Sequence, residues 1–517
     1  MKKGKTGILT ISIVVSIIGV LGKFLGFARD AVIAAIYGAN WQTDAFFFAQ
    51  SMPAIIFPAV SSSLSTAFLA SFVSKNDETE SKADLYGSKA ICFCIVFAIG
   101  LSILAVVLSP VIVPVFAPGF SINQSTLAIK LTQITMAAFA LTMAHYMFGA
   151  VLSAKKLFYG AQIAAFVYNL CVICITVILA KDKDIVALTY TVVVGHIIQM
   201  IILYYIARKR FQFSVVLRCW DSETKQLIIL AIPILLGNSI VQLNNIVDKV
   251  ISSLFGEGAM SALSYSNTLN RFVMDVVTIT LSTVIYPIMA EKYSKKEMKE
   301  LFRTITSSIS IVLIILLPIS IITALCSNDI VKSVYERGSF DSDATLLTSY
   351  ALRYYGPMFI FSAVQAIVVR VFYSMKDTKT PLKAAAIAIA SNAIMSYLFS
   401  RVLGMGLGGI ALGTTISTLL AAILLLVALK KRLPDLNYGL LKNTMGKVVV
   451  SALILLIEIV VLKKLMTSFH CIPRFILITI IGFITHFGVL VLLKCEELGK
   501  ISDYVKVLIK KRRKTGE

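Results

Sequence analysis

The chain has 517 residues, of which 58% are apolar and 15% are charged, and its mean hydropathy is +0.86. In a soluble globular protein about a quarter of the residues are charged. The composition therefore excludes a soluble globular protein and predicts an all-α polytopic membrane protein. The net charge of +22 would suggest a nucleic-acid partner in a soluble protein. Here the basic residues lie in short runs between apolar segments, which indicates membrane topology and contact with anionic lipids instead, so we expect no nucleic-acid partner.

Apolar runs of about 20 residues or more, long enough to cross a bilayer, recur along the chain. They predict fourteen spanning helices at residues 8–36, 43–73, 86–116, 127–152, 158–180, 185–207, 224–255, 259–290, 301–325, 344–374, 381–402, 406–429, 442–465 and 472–494. Basic residues are concentrated in every second loop and in the tail that contains KKRRK. Because such loops face the cytoplasm, we predict that both termini are cytoplasmic.

An internal repeat relates the first predicted helix to the seventh. Residues 30–38 read DAVIAAIYG and residues 248–256 read DKVISSLFG. The two segments are six helices apart, so the halves cross the membrane in the same direction and form a parallel repeat. We therefore predict a first six-helix lobe over residues 1–210, a second over 211–432, and two further helices with a basic tail over 433–517.

Ionisable and polar side chains interrupt the apolar segments at a few places, where each is costly unless it faces a cavity or a partner. The stretch GKFLGFARDAVIAAIYGANWQTDAFFF, residues 22–48, places charged residues inside the first two predicted helices. The charged residues of this stretch and the polar residues of the second half are Lys23, Arg29, Asp30, Asp44, Asn244, Asn245, Asp248, Lys249, Asn267, Arg271 and Asp275. We expect them to line a central cavity between the lobes, opened to each side in turn by alternating access.

The basic members of this set predict an anionic ligand. Lys23 and Asp30 are two helical turns apart and share a face, and Arg29 lies about 60° from that line. Arg29 with Asp30, or Asp248 with Lys249, could instead form structural ion pairs, and that alternative stays open.

Glycine and proline lie where a moving helix would bend. Gly22 and Gly26 fall in the first predicted helix, Pro53 in the second and Pro233 in the seventh. Each loosens or removes a backbone hydrogen bond, so we treat them as hinge candidates. Static kinks fixed by packing are an equal alternative.

The sequence shows no motif typical of a catalytic, metal-binding or phosphate-binding site. Cys171 and Cys174 have C-x-x-C spacing but lie in an apolar run without a second pair, and the four histidines are scattered singly. No phosphate-binding glycine loop and no catalytic cluster is recognisable. We therefore expect a transporter rather than an enzyme, with no metal and no cofactor.

Several motifs together resemble the MurJ/MviN family, the lipid II flippases of the MOP exporter superfamily. They are LGFARDAVIAAIYGANWQTDAFF (25–47), FAPGF (116–120), GAVLSAKKLFYGAQIAAFVYN (149–169), YERGSF (335–340) and FYSMKDTKTP (372–381). The resemblance implies fourteen helices and two lobes forming a V. It also implies a cationic central cavity for the pyrophosphate and sugar of a lipid-linked precursor, and a groove for its polyprenyl tail on the last two helices.

The resemblance also assigns roles to single residues. Arg29 and Asp44 match essential charged positions of the family, and Lys23 stands where arginine is usual, which keeps the charge but loses the bidentate fork. Phe57 stands where many relatives have a basic residue, and Thr268 where arginine is common. Because Arg271 follows Thr268 by nearly one helical turn, it is our candidate for the missing charge.

The expected function is therefore a flippase of the bacterial cytoplasmic membrane that carries undecaprenyl-pyrophosphate-linked peptidoglycan precursor outward. Lys23, Arg29, Arg271 and Asn267 would bind the headgroup, and Asp44 would orient it or gate the cavity. Cell-wall synthesis proteins are candidate partners. The alternatives are a flippase for another lipid-linked glycan, a cation-coupled exporter resembling the MATE transporters, and a non-transporting scaffold.

Overall fold

The computed structural model describes residues 2–78, 80–280, 285–434 and 439–498, and every regular element within these ranges is a helix. The side chains of Pro53 and Asn244 lie outside the described residues. The first ten α-helices are α1 (Lys2–Tyr37), α2 (Trp41–Glu78), α3 (Glu80–Phe116), α4 (Ile122–Ala137), α5 (Phe139–Ala154), α6 (Tyr159–Ile178), α7 (Ile185–Ala207), α8 (Ser222–Ser252), α9 (Ala259–Thr280) and α10 (Tyr286–Ser294). The remaining helices are α11 (Met298–Leu325), α12 (Ser327–Val334), α13 (Ser342–Tyr355), α14 (Met358–Ser374), α15 (Lys379–Tyr397), α16 (Gly406–Arg432), α17 (Gly439–Leu465) and α18 (Cys471–Leu492).

The all-helical membrane architecture predicted from composition is confirmed. In the described part of the chain, nine helical segments are long and apolar enough to cross a bilayer, or ten if α13 and α14, bent by 44°, form one span. The helices α1, α2, α8 and α9 coincide with four further predicted spans. The number fourteen agrees with this helix order and stays a prediction.

The chain divides into two compact units. The first runs to Thr268 and includes Arg337–Ala344, and the second comprises Leu269–Glu336 and the residues from Thr345 onward. The first unit thus contains α8 and the start of α9, which the repeat assigns to the second half. Units defined by compactness do not test boundaries that are defined by an internal repeat. The domain boundaries at residues 210 and 432 therefore stay predictions.

The helix α1 packs on α6 through a row of glycines in the first unit. A Cβ atom at Gly19 would lie 3.2 Å from Gln162 Oε1, and one at Gly26 would lie 3.7 Å from the Asn169 side chain. Small residues allow two membrane helices to approach this closely. The helix continues unbroken through Gly22 and Gly26, and α8 continues through Pro233, so the hinge role of these residues stays a prediction.

A buried aspartate ties α17 and α18 to the rest of the second unit. Asp329 in α12 is 1% exposed and forms ion pairs with Arg474 of α18 and Lys463 of α17, whose Nζ lies 3.6 Å from Asp329 Oδ2. The Lys463 ammonium also donates to the carbonyl of Leu325 at 2.8 Å. One carboxylate therefore holds both C-terminal helices against the end of α11.

Asp329→Asn should destabilise the protein, because it leaves two cations around a buried neutral side chain. We expect the free energy of unfolding to fall by about 3 kcal/mol, the lower end of the range for breaking a buried ion pair. Unfolding in mixed detergent micelles measures this loss. The exposed Asp343→Asn is the matched control, and an equal loss in both variants would contradict the anchoring role.

Candidate functional site

Arg29 is held in α1 by its sequence neighbour and by α6. Its guanidinium donates to Asp30 Oδ1 from Nε at 2.9 Å and from Nη2 at 2.7 Å, and Nη1 donates to Asn169 Oδ1 at 3.2 Å. The Tyr168 ring centroid lies 5.8 Å from the Arg29 Cζ atom. The structure therefore contains the Arg29–Asp30 ion pair that the sequence left open, formed within one helix.

Thr268 completes this arrangement. Its hydroxyl donates to Asp30 Oδ2 at 3.1 Å, so the position where the family commonly has arginine directly contacts the carboxylate of the pair. Because threonine is neutral, Arg29 balances the charge of Asp30 in this arrangement. The arginine side chain stays 26% exposed.

Asp44 is completely buried and accepts hydrogen bonds at the beginning of α9. Oδ2 accepts from the backbone N–H of Gly258 at 2.7 Å, and Oδ1 accepts from the backbone N–H of Ser261 at 2.7 Å and from its hydroxyl. Gln124 Nε2 lies 3.4 Å from Oδ2. A carboxylate at these N–H groups is favourable because they are unpaired within the helix and lie at its positive end.

Gly258 is required at this contact. Its φ is +80°, and a Cβ atom would come within 2.7 Å of the Ala39 carbonyl oxygen. The turn between α1 and α2 is held further by Tyr265, whose hydroxyl donates to the Gly38 carbonyl at 3.1 Å. We call these contacts around Asp44, Gly258 and Tyr265 the Asp44 latch. It joins the end of α1 and the start of α2 to the start of α9.

The segment Arg337–Ala344 adds to the same region of the first unit. The Ser339 backbone N–H donates to the Ala35 carbonyl at 2.8 Å, and its side chain accepts from Lys183 Nζ at 2.8 Å. Phe340 contacts the Tyr265 ring at a centroid distance of 5.5 Å. The YERGSF motif thus contributes to the latch, which its sequence alone did not indicate.

The remaining candidate residues lie at several levels of exposure. Lys23 and Arg271 are exposed, Asn267 and Asp275 are half-buried, and Asp248 is 9% exposed. Lys249 donates to Ser264 of α9 and lies 5.8 Å from the Phe47 ring centroid. Asp44 and Arg29 are therefore the candidates whose surroundings the structure defines most closely, and the ligand roles of the others stay predictions.

A cavity of about 310 Å³, lined by both polar and apolar side chains, lies in the first unit. Two histidines that appeared scattered in the sequence, His145 and His196, both line it, and Tyr168 stacks on His196 at 4.8 Å between ring centroids. Phe57, one of the departures from the family pattern, also lines it and stacks on Phe139 at 3.5 Å. No carboxylate is among the lining residues, and no group of three metal-ligating side chains occurs in the described ranges.

Sequence reasoning missed Asn169, Tyr168 and Ser261 as partners of the charged residues. Asn169 is 9% exposed in a mostly apolar helix, and its side-chain amide also donates to the Gly22 carbonyl at 3.3 Å. A buried asparagine inside a spanning run was the available signal. The backbone N–H groups that donate to Asp44 could not be recognised from the sequence, because almost every residue type carries one.

Asp44→Asn should loosen the start of α9, because it removes the charge and one acceptor from the Asp44 latch. We expect amide hydrogen exchange over residues 256–264 to accelerate by a factor on the order of 10 to 100, as hydrogen bonds to a charged group are lost. Exchange mass spectrometry on the purified protein measures it. Asp184→Asn, which removes the charge of the residue that caps α7 at Val186, is the control and should leave this peptide unchanged.

A family model described as "Lipid II flippase MurJ" matches residues 33–480. A probable lipid II flippase MurJ of Rhizobium tropici is 28% identical over 428 residues, which cover 79% of this chain and 78% of the relative. Lipid II flippase MurJ of Burkholderia cenocepacia is 24% identical over 425 residues, covering 80% and 82%.

Two solved structures share the fold. "Lipid II flippase MurJ, inward closed conformation" superposes with a TM-score of 0.77 at 22% identity, over 92% of this chain and 98% of that one. An inward-facing MATE-family multidrug transporter of the MOP superfamily gives 0.70 at 13% identity, over 81% and 96%. Because the family model spans most of the chain, the protein belongs to the MurJ family of lipid II flippases.

Proposed function

We propose that this protein moves lipid II across the bacterial cytoplasmic membrane by alternating access. The observation that carries the proposal is the environment of Arg29, a guanidinium fixed in a membrane helix and still one-quarter exposed. Three of its N–H groups donate to Asp30 and Asn169, and a guanidinium has five. The remaining donors suit the oxygens of a pyrophosphate, which arginine binds with two parallel hydrogen bonds.

The Asp44 latch supplies a gate for this cycle. With both termini in the cytoplasm, the latch lies on the outer side of the membrane, and its contacts keep that side closed. Opening requires the carboxylate to leave two backbone N–H groups and a serine hydroxyl. Bound substrate or the membrane potential has to offset this loss, and each charge moved across the field contributes about 2.3 kcal/mol per 100 mV.

The C-terminal helices fit a role in holding the polyprenyl chain. Leu453 and Ile457 of α17 are 57% and 62% exposed, and Ile480 and Ile484 of α18 are 51% and 67% exposed. These apolar side chains suit a hydrocarbon tail, while Asp329 keeps the helix pair attached to α11 and α12. The groove, like contact with cell-wall synthesis proteins, belongs to the proposal.

A flippase for another lipid-linked glycan is the second candidate, and the surroundings of Asp30 favour it. Thr268 places a neutral hydroxyl at Asp30, and Lys23 replaces the usual arginine, so the site carries fewer guanidinium groups than the family pattern. Depletion of the protein distinguishes the candidates. Lipid II should accumulate on the cytoplasmic side; unchanged lipid II together with the loss of another surface glycan would support the alternative.

Arg29→Ala should fail to support growth of a strain that lacks its own lipid II flippase, whereas the wild-type chain should restore it. Arg29→Lys keeps the charge but loses the fork and should restore growth only in part. Lys23→Arg, which restores the usual family residue, is the matched substitution and should support growth. Membrane levels of each variant are measured in parallel, and full growth with Arg29→Ala at normal abundance would contradict the role of Arg29.

A further inference from the structure

The connection between α7 and α8 runs extended along one face of α3. Three backbone N–H groups donate to three α3 side chains: Gln212 to Asp84 Oδ2 at 2.9 Å, Ser214 to Ser88 Oγ at 3.1 Å, and Val216 to Cys92 Sγ at 3.4 Å. Two residues of extended chain advance about 6.6 Å and four residues of helix about 6 Å, so the two spacings match. We call residues 211–220 the extended segment.

Both ends of the extended segment are fixed. Phe211 is 1% exposed, and its ring lies 6.0 Å from that of Phe72. After the segment, Asp221 caps α8 by accepting from two backbone N–H groups and pairs with Lys89 at 3.0 Å. Burial alone would raise the pKa of Asp221, but these N–H donors and Lys89 hold it below its usual value.

The outer side of the extended segment is apolar and uncovered within the protein. Val215 is 77% exposed, Leu217 is 93% exposed and Trp220 is 65% exposed. The Trp220 ring leans on Phe93 of α3, with the ring centroids 5.5 Å apart. Three large apolar side chains on a short connection are unusual next to water and indicate a surface that something covers.

The position of the segment along α3 indicates the membrane boundary. Residues 80–89 of this helix are ESKADLYGSK, and the continuous apolar run begins at Ala90. Cys92 and Phe93, which contact the segment, thus lie just inside the apolar part of the helix. The exposed row is therefore at the level where headgroups meet acyl chains, which tryptophan prefers.

Positive charge accompanies the apolar row. Arg208, Lys209 and Arg218 are exposed, and none of them forms an ion pair within the described ranges. The nearby Lys75 and Lys89 differ, because both pair with acidic residues at the start of α8. Unneutralised cations beside an apolar edge are complementary to anionic phospholipids, whose phosphates lie just above their acyl chains.

We propose that residues 208–220 form an interfacial binding site for anionic phospholipids. Val215, Leu217 and Trp220 insert between the lipids at the boundary of the hydrocarbon core, and the basic residues bind the headgroup phosphates. The site belongs to the protein as a membrane anchor and does not depend on which lipid-linked glycan is transported. Its occupant fixes the level at which α8 enters the bilayer.

Fluorescence of Trp220 tests this site directly, because the chain has two tryptophans and Trp41→Phe leaves one. The full chain is reconstituted in vesicles that mix phosphatidylcholine and phosphatidylglycerol, with bromine atoms on one lipid or the other. Bromines near the glycerol backbone should quench Trp220 roughly twofold more than bromines at the chain end, because indole prefers the interface. Brominated phosphatidylglycerol should quench more than brominated phosphatidylcholine at equal fractions.

Arg208→Gln with Arg218→Gln tests the headgroup contacts. The preference for phosphatidylglycerol should fall by up to about fivefold for each charge removed. Lys181→Gln removes one exposed charge just before α7, at the other end of that helix from Arg208, and should leave the preference unchanged.

Three results would contradict the proposal. If water-soluble acrylamide quenches Trp220 and brominated lipid does not, the segment lies in water. If neither quenches it, another protein surface covers the segment. Equal quenching by both lipids, unaltered in the arginine variants, would refute the phosphate contacts. The experiment contains no transported substrate, so the result of the quenching experiment is independent of the flippase proposal.

Discussion

An ionised side chain inside a membrane helix must find a partner there, and this requirement accounts for much of the structure. Arg29 pairs with the aspartate that follows it, and Asp44 receives the unpaired N–H groups of another helix. Asp329 is shared by two basic residues of the C-terminal helices. Asp44 and Asp329 thereby fix one helix against another, and for the pair within α1 the contacts of Asn169 and Thr268 do so. Polar contacts thus determine helix packing that apolar side chains in lipid determine poorly.

The contacts of Asp44 and those of Arg29 differ in how much of the side chain remains available to other partners. Both oxygens of Asp44 accept hydrogen bonds from protein donors in a buried site, which suits the proposed role as a gate. Arg29 retains donors and exposure, which suits contact with a ligand. The sequence alone did not show which charged residue of α1 and α2 suits ligand binding and which suits gating.

The sequence predicted the fold class, the helix order and the family, because these depend on hydropathy, loop charge and local motifs. It did not predict the partners of Asp44, since backbone N–H groups more than 200 residues away carry no signature in residue type. It also left Arg29 and Asp30 undecided between ligand binding and pairing, because the choice depends on rotamers and on Thr268 from a distant helix. His145 and His196 appeared unrelated for the same reason, and only the packing of α5 against α7 brings both to one cavity.

The extended segment has a mechanical consequence for the connection between α7 and α8. Its three bonds to α3 fix the direction of the chain before α8, since residues 212–216 follow the helix instead of spanning open space. Released from α3, these five residues could reach about 17 Å in any direction. Because these residues are already extended along α3, their release frees the direction of the connection and adds no length.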